Sequence, residues 1–180
     1  LDAELLAGKV VVVLDILFAT STIVTAFQHG VTHVIPAMDE HHARREAEKH
    51  AVGSYLLAGE KNIKHIEGFG PPTPLALLKS DLGDKRLIYA TTNGTVALAK
   101  SAASEHVYAA ALLNGKAVMQ HVMATHQNET ILIVCSGSGG GFNLEDFYGA
   151  GYMIDCLHRA APAHYEFSDA ALAARDLFLQ

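Results

Sequence analysis

Lys9-Val10-Val11-Val12-Val13-Leu14-Asp15 is the stretch that decides the fold. Strand side chains alternate between two faces, so a strand with one wet face carries a polar residue at every second position. Four successive valines and a leucine leave no such position. A β-branched apolar run of this kind reads as a buried strand of a parallel sheet, covered on both sides. It ends on an acid, at the carboxyl edge where open α/β sheets keep their ligands.

Outward from this strand, Thr20, Ser21 and Thr22 open an apolar segment that stops at Gly30. A hydroxyl cap and a terminal glycine bracket a helix over 20–30. The alternation continues, with strands read at 32–35, 55–58, 86–90, 106–110 and 130–135, and helices at 39–51, 94–102, 115–125, 144–159 and 169–180. Segment 59–74 contains Gly68-Phe69-Gly70-Pro71-Pro72 and reads as a long irregular loop, since proline removes backbone donors and glycine costs order. The order predicts one α/β domain over 1–180, a three-layer α/β/α arrangement around a mostly parallel or mixed sheet. The chain opens at Leu1 without a methionine and ends in a helical stretch, and it reads as lacking terminal elements of a longer protein.

Composition narrows the function. Of 180 residues 50% are hydrophobic, and 13 Lys+Arg stand against 19 Asp+Glu for a net charge of −6. Such a chain is too apolar for disorder, and its acidic balance offers no footprint for nucleic acid or an anionic membrane. No apolar run approaches the roughly 18 residues of a membrane span, and no secretory leader is legible, so a cytoplasmic protein is expected. Cys135 and Cys156 are too few for a disulfide framework and read as reduced thiols, Cys156 in the core. The eleven histidines are scattered, and His41, His42, His50, His121 and His126 read as solvated residues on exposed helices.

Three units share the order strand, hydroxyl- or glycine-rich turn, helix. They are Leu14 into Thr20-Ser21-Thr22, Ala90 into Thr91-Thr92-Asn93-Gly94-Thr95, and Cys135 into Ser136 to Gly141. Helix N-termini gathered on one edge would form an anion pocket. Acids also fall at strand ends or helix starts: Asp15, Glu60, Glu145 and Asp146. Carboxylates meeting there are the usual partners of Mg²⁺ held with a substrate phosphate. Each has a plainer reading: Asp15 as a turn acid, Glu145 and Asp146 as acids favoured by the helix dipole, Asn93-Gly94 as a simple turn. Several familiar chemistries are absent. Leu17 stands where an Asp-x-Asp phosphatase motif needs its second acid, Phe142 replaces the third glycine of a dinucleotide fingerprint, and Gly141 occupies the arginine position of a Cys-x5-Arg loop.

Taken together, Val10 to Leu17 with Ala19 to Val24, Leu57-Ala58-Gly59-Glu60, Ile66-Glu67-Gly68-Phe69, Thr91 to Thr95 and Phe142-x-Leu144-Glu145-Asp146 resemble the 2-phosphosulfolactate phosphatase family. The resemblance implies an α/β fold and Mg²⁺-dependent hydrolysis of a phosphate monoester, 2-phosphosulfolactate to sulfolactate and phosphate, in coenzyme M formation. Carried over by position, it implies Asp15, Glu60 and Asp146 as catalytic residues and Asp15, Glu60, Glu145 and Asp146 as the metal group. Thr20, Ser21, Thr22, Thr92, Asn93 and Gly94, with Ser136 and Gly137, would cradle the phosphate. The partner implied is a small phosphorylated or sulfonated acid, with a homo-oligomer left open. Phe18, Val96 and Gly141 depart from the pattern at positions where it carries arginine. That departure supports a second reading, a non-catalytic member binding a less charged ligand or a protein partner.

Overall fold

The computed structural model describes residues 3–180. In chain order the elements are α1 (Ala3–Leu6), β1 (Lys9–Leu14), α2 (Ala19–Gln28), β2 (His33–Ala37), α3 (Glu40–Ala47), β3 (Tyr55–Lys61), β4 (Lys64–His65) and α4 (Pro74–Leu77). They continue with β5 (Arg86–Ala90), α5 (Gly94–Ser101), β6 (His106–Ala110), α6 (Gly115–Thr125), β7 (Thr130–Cys135), α7 (Leu144–Ala160) and α8 (Asp169–Leu179).

The α/β class holds, and the strands divide between two sheets. One runs β6-β1-β7, all parallel; the other runs β2-β5-β3-β4, parallel except that β4 turns back antiparallel on β3. Each sheet has a central strand buried on both faces. In β1, Val10, Val12 and Leu14 pack with Met119, Val122, Met153, Ile154 and Leu157 of α6 and α7, while Val11 and Val13 pack on the opposite side with Leu6 and Ala97. All five strand residues are fully buried, which is why the run shows no polar alternation. Each such burial is worth about 1.5–3 kcal/mol. In β5, Leu87 and Tyr89 face Ala19, Ile23 and Ala26 of α2, and Ile88 and Ala90 face Ala43, Ala47, Ile66 and Phe69. α5 contacts strands of both sheets, and α2 contacts β6 of one while its Ala19, Ile23 and Ala26 pack with Leu87 and Tyr89 of the other, so the two helices bind the sheets together.

Several local expectations change. The 20–30 helix begins at Ala19, its cap position is Phe18, and no side chain caps it. The 59–74 segment is more ordered than its composition suggests. β3 continues to Lys61 and folds back through Asn62 and Ile63, both at positive φ (52° and 67°), as the mirror-image turn of a tight hairpin requires. Pro74 then starts α4, where its missing N–H removes no helical bond. The 39–51 helix is shorter, with Asp39 accepting a hydrogen bond from His42 N–H at 2.7 Å as its cap. His126 is not solvated: it is 2% exposed and hydrogen-bonds the Tyr108 hydroxyl at 2.8 Å, because α6 ends there and turns inward. His50 is half-buried, Cys156 packs half-buried against the core, and Cys135 is exposed. Among the described residues no helix is long and apolar enough to cross a membrane.

Candidate active site

The carboxyl ends of β1, β3 and β5, the loop after β7 and the N-termini of α2 and α5 meet around a cavity of about 580 Å³. It therefore draws on both sheets. Its walls include Asp15, Glu60, Thr91, Thr92, Asn93 and Ser138, with Leu17, Phe18, Ile63, Pro72 and Tyr89 supplying the apolar part.

Asp15 ends the valine strand and is 8% exposed. Burial pushes its carboxyl up to about 6, and the nearby Asp146 adds to the rise. The backbone N–H groups of Ala19 and Gly94 and the Ser136 hydroxyl oppose that rise without cancelling it. Asp15 thus occupies the place an external anion would take between two helix N-termini. Asp146, 1% exposed, lies behind it in the first turn of α7. Its Oδ1 accepts from Ile16 N–H at 2.8 Å, and its Oδ2 accepts from Gly137 N–H at 3.1 Å and from Ser136 Oγ at 3.3 Å. Burial raises its pKa as well. Ser136 lies between the two acids, and its single proton serves one of them at a time.

Across the cavity Glu60 is held by three donors. Its Oε1 accepts from Thr92 N–H at 2.7 Å, and its Oε2 accepts from Ile63 N–H at 2.6 Å and from the Thr92 hydroxyl at 3.0 Å. Thr92 Oγ1 in turn accepts from Asn62 N–H at 2.8 Å. Asn93 ties the remaining wall together, its Oδ1 accepting from Gly139 N–H at 3.2 Å. The Pro71-Pro72 loop is fastened from below, where the Pro72 carbonyl accepts from the Tyr89 hydroxyl and from Thr22 Oγ1.

The residues singled out by sequence separate into two groups. Asp15, Glu60, Thr92 and Asn93 line the cavity. Ser136 and Gly137 lie one layer behind it on Asp146, and Gly94 lies directly against Asp15. Thr20, Ser21 and Thr22 do not form a cradle. The Thr20 hydroxyl closes on the Asp15 backbone, donating to its carbonyl at 2.9 Å and accepting from its N–H at 3.0 Å. Ser21 donates to the Ile16 carbonyl at 2.8 Å and Thr22 to Pro72, so all three hydroxyls are spent on shaping loops. Glu145 also leaves the group. Neighbouring helix residues point roughly 100° apart, so with Asp146 turned inward Glu145 faces away, half-buried and outside the cavity lining.

The sequence reading missed Tyr89, which looks like an ordinary core residue of a buried strand, and the Asn62-Ile63 turn. Asn62, a residue type that tolerates positive φ, was the available signal for that turn. The exposed Cys135 has its thiol raised to about 11 by burial and by Asp146, which disfavours a thiolate nucleophile.

Among the described residues no three His, Cys, Asp or Glu side chains converge as a metal cluster. Mg²⁺, however, is commonly held by one or two carboxylates together with water and substrate phosphate. Asp15 and Glu60 both face the cavity, and no described Lys, Arg or His lines it. Two acids facing a cavity without a side-chain cation fit a divalent ion in charge and in donor type.

The chain is similar to known proteins along almost its whole length. A family model for 2-phosphosulpholactate phosphatase matches residues 2–180. A protein of Clostridium novyi (strain NT) named probable 2-phosphosulfolactate phosphatase is 36% identical over 176 residues, covering 97% of this chain and 73% of the relative. Proteins of the same name from Clostridium beijerinckii and Symbiobacterium thermophilum are 36% and 35% identical, covering 82% and 98% of this chain and 62% and 75% of the relatives. The chain thus spans between about three-fifths and three-quarters of the length of these proteins. With a match across almost every residue, and with the stretches around Asp15, Glu60 and Thr92 that first suggested the likeness lining one cavity, the chain belongs to the 2-phosphosulpholactate phosphatase family.

Proposed function

We propose that this chain hydrolyses a small phosphate monoester at Asp15, with Mg²⁺ as cofactor, and that 2-phosphosulfolactate, for which its relatives are named, is the reference substrate, yielding sulfolactate and phosphate. The observation that carries the reading is the buried Asp15 carboxyl at two helix N-termini, sharing one cavity with Glu60. Asp15 and Glu60, from opposite walls, are the residues that would hold the metal, and Asp146 with Ser136 fixes Asp15 from behind. Bound Mg²⁺ would polarise the phosphoryl group and offset charge on its oxygens.

The rest is work for the chain's own groups. In the reaction a water oxygen bonds to phosphorus, the bond from phosphorus to the organic oxygen breaks, and that oxygen leaves protonated as an alcohol. Asp15 Oδ takes the proton from the attacking water, and the leaving oxygen, on the far side of phosphorus, takes its proton from solvent. The peptide N–H groups of Ala19 and Gly94, at the starts of α2 and α5, are taken by Asp15 and hold its carboxyl in place. The test is phosphate release from 2-phosphosulfolactate and from phenyl phosphate, with Mg²⁺ and with EDTA, for the wild type and Asp15→Asn. Loss of at least a hundredfold in the variant and in EDTA is expected. Activity indifferent to both overturns the reading.

A further inference from the structure

The organic half of the substrate leaves its own mark on the cavity. A sulfonated and carboxylated phosphate ester brings negative charge at both ends, and such groups are ordinarily met by arginine or lysine. No described residue lining this cavity is Lys, Arg or His, and two of them are acids. Lys61, from the end of β3, lines only an adjoining hollow of about 190 Å³, where Asp39 and Glu40 lie with it. A divalent ion at Asp15 answers the phosphate charge and leaves no side-chain cation among the described lining residues for a second anionic group.

Beside each acid the lining is apolar and open. Leu17 is 58% exposed and Phe18 46%, both on the loop leaving β1, and Ile63 is 97% exposed at the hairpin tip. Ile63 also holds a left-handed backbone, φ 67°, which a β-branched residue rarely adopts and which asparagine or glycine tolerates. An apolar side chain kept there against its backbone preference, uncovered by its own chain and facing a ligand cavity, has its use in contact with the ligand.

We propose that the ester taken by this cavity has an apolar, uncharged organic group, an alkyl or aryl phosphate packed against Leu17, Phe18 and Ile63, rather than a sulfonated acid. The inference rests on the phosphatase reading for the phosphate end and departs from the relatives' named substrate at the other end. The reaction is unchanged: water adds to phosphorus and the alkyl or aryl oxygen leaves as the protonated alcohol or phenol.

The test compares kcat/KM for phenyl phosphate and 2-phosphosulfolactate in Mg²⁺, and binds phosphonate analogues of both esters, which cannot be turned over, by calorimetry. Phenyl phosphate is expected to lead by at least tenfold in both measurements. Phe18→Arg should move the ratio at least tenfold toward the sulfonated compound. Ile63→Asn, which suits the left-handed backbone, should lower the preference about threefold without lowering Tm. Equal or better use of the sulfonated ester, or a ratio unmoved by Phe18→Arg, overturns the inference. No hydrolysis of either ester, with the phenyl analogue still bound tenfold tighter, overturns the phosphatase reading and upholds the apolar preference. If neither analogue binds, both fail.

Discussion

Gly94 and Asp15 come from different sheets and meet so closely that a Cβ on Gly94 would lie 2.4 Å from Asp15 Oδ2. The same Cβ would lie 2.5 Å from Ala19 Cβ and 2.8 Å from Asp15 Cβ, so it has no flexible side chain to displace. Gly94→Ala is therefore expected to destabilise by about 1–3 kcal/mol, the usual range for an overpacked core, despite alanine's better helix propensity. Displacing the Asp15 carboxyl should also lower kcat at least tenfold, since small misplacements of a reacting group are costly. Urea denaturation together with steady-state rates checks both effects; a variant as stable and as active as the wild type would contradict the contact.

The Asp15 carboxyl links stability to pH. An unperturbed aspartate titrates at 3.8 and Asp15 in the folded chain at about 6, so between these values the folded state binds the extra proton. The protonated form contributes stability that is fully present below 3.8 and is lost as pH rises through about 6. At roughly 1.4 kcal/mol per tenfold change in proton affinity, the span is on the order of 3 kcal/mol. In EDTA-containing buffer the stability of Asp15→Asn relative to wild type should be greater at pH 7.5 than at pH 4 by about 2–3 kcal/mol. Repulsion from Asp146 acts in the same direction. A difference that stays flat across this window would show that Asp15 is not buried as described.

α8 provides a contrast away from the cavity. A Cβ on Gly151 of α7 would lie 2.0 Å from the Ala174 carbonyl oxygen and 2.9 Å from Phe178 Cβ, so the two helices touch through glycine. Beside this contact the buried Asp155 accepts from Arg175 Nε at 3.1 Å and from Arg159 Nε at 2.6 Å. Gly151→Ala should loosen α8, speeding amide exchange over 169–179 and lowering Tm, while KM stays unchanged because no α8 residue lines the cavity. Protection equal to wild type in that helix would refute the close packing.

The readability of this sequence follows from how local each feature is. Val10 to Leu14 announces a doubly covered strand because burial on both faces removes alternation, and that signal needs no knowledge of neighbours. Asp15 is legible because it directly follows that strand. The division into two sheets is not, since β1 pairs with β6 and β7 roughly a hundred residues later and no property of an isolated strand names its partner. Thr20 misled for a related reason. A hydroxyl near a helix start reads as a cap, but here the helix begins one residue earlier and the hydroxyl folds back on Asp15. The site's acids were legible, and Phe18 stood out where the family pattern carries arginine, but Ile63 and Tyr89 look like ordinary loop and core residues until the loops are closed.

Glu60 and Thr92 support the last prediction. Glu60 is an acceptor at both oxygens, taking bonds from Thr92 N–H, Thr92 Oγ1 and Ile63 N–H, so the carboxylate both faces the cavity and holds the hairpin tip in its left-handed turn. Glu60→Gln puts an amide donor against one of these donors, leaving it unsatisfied at a cost of about 1–3 kcal/mol. Thr92→Val keeps the carboxylate and the backbone bond but removes the hydroxyl that bridges Glu60 to Asn62. If Glu60 contributes to metal binding as well as to the turn, the two variants separate. Glu60→Gln should weaken the Mg²⁺ dependence of activity at least tenfold, whereas Thr92→Val should raise KM severalfold and leave the Mg²⁺ requirement within twofold of wild type. Magnesium titrations of the rate distinguish them, and an identical magnesium profile for Glu60→Gln and wild type would reduce Glu60 to a support for the hairpin.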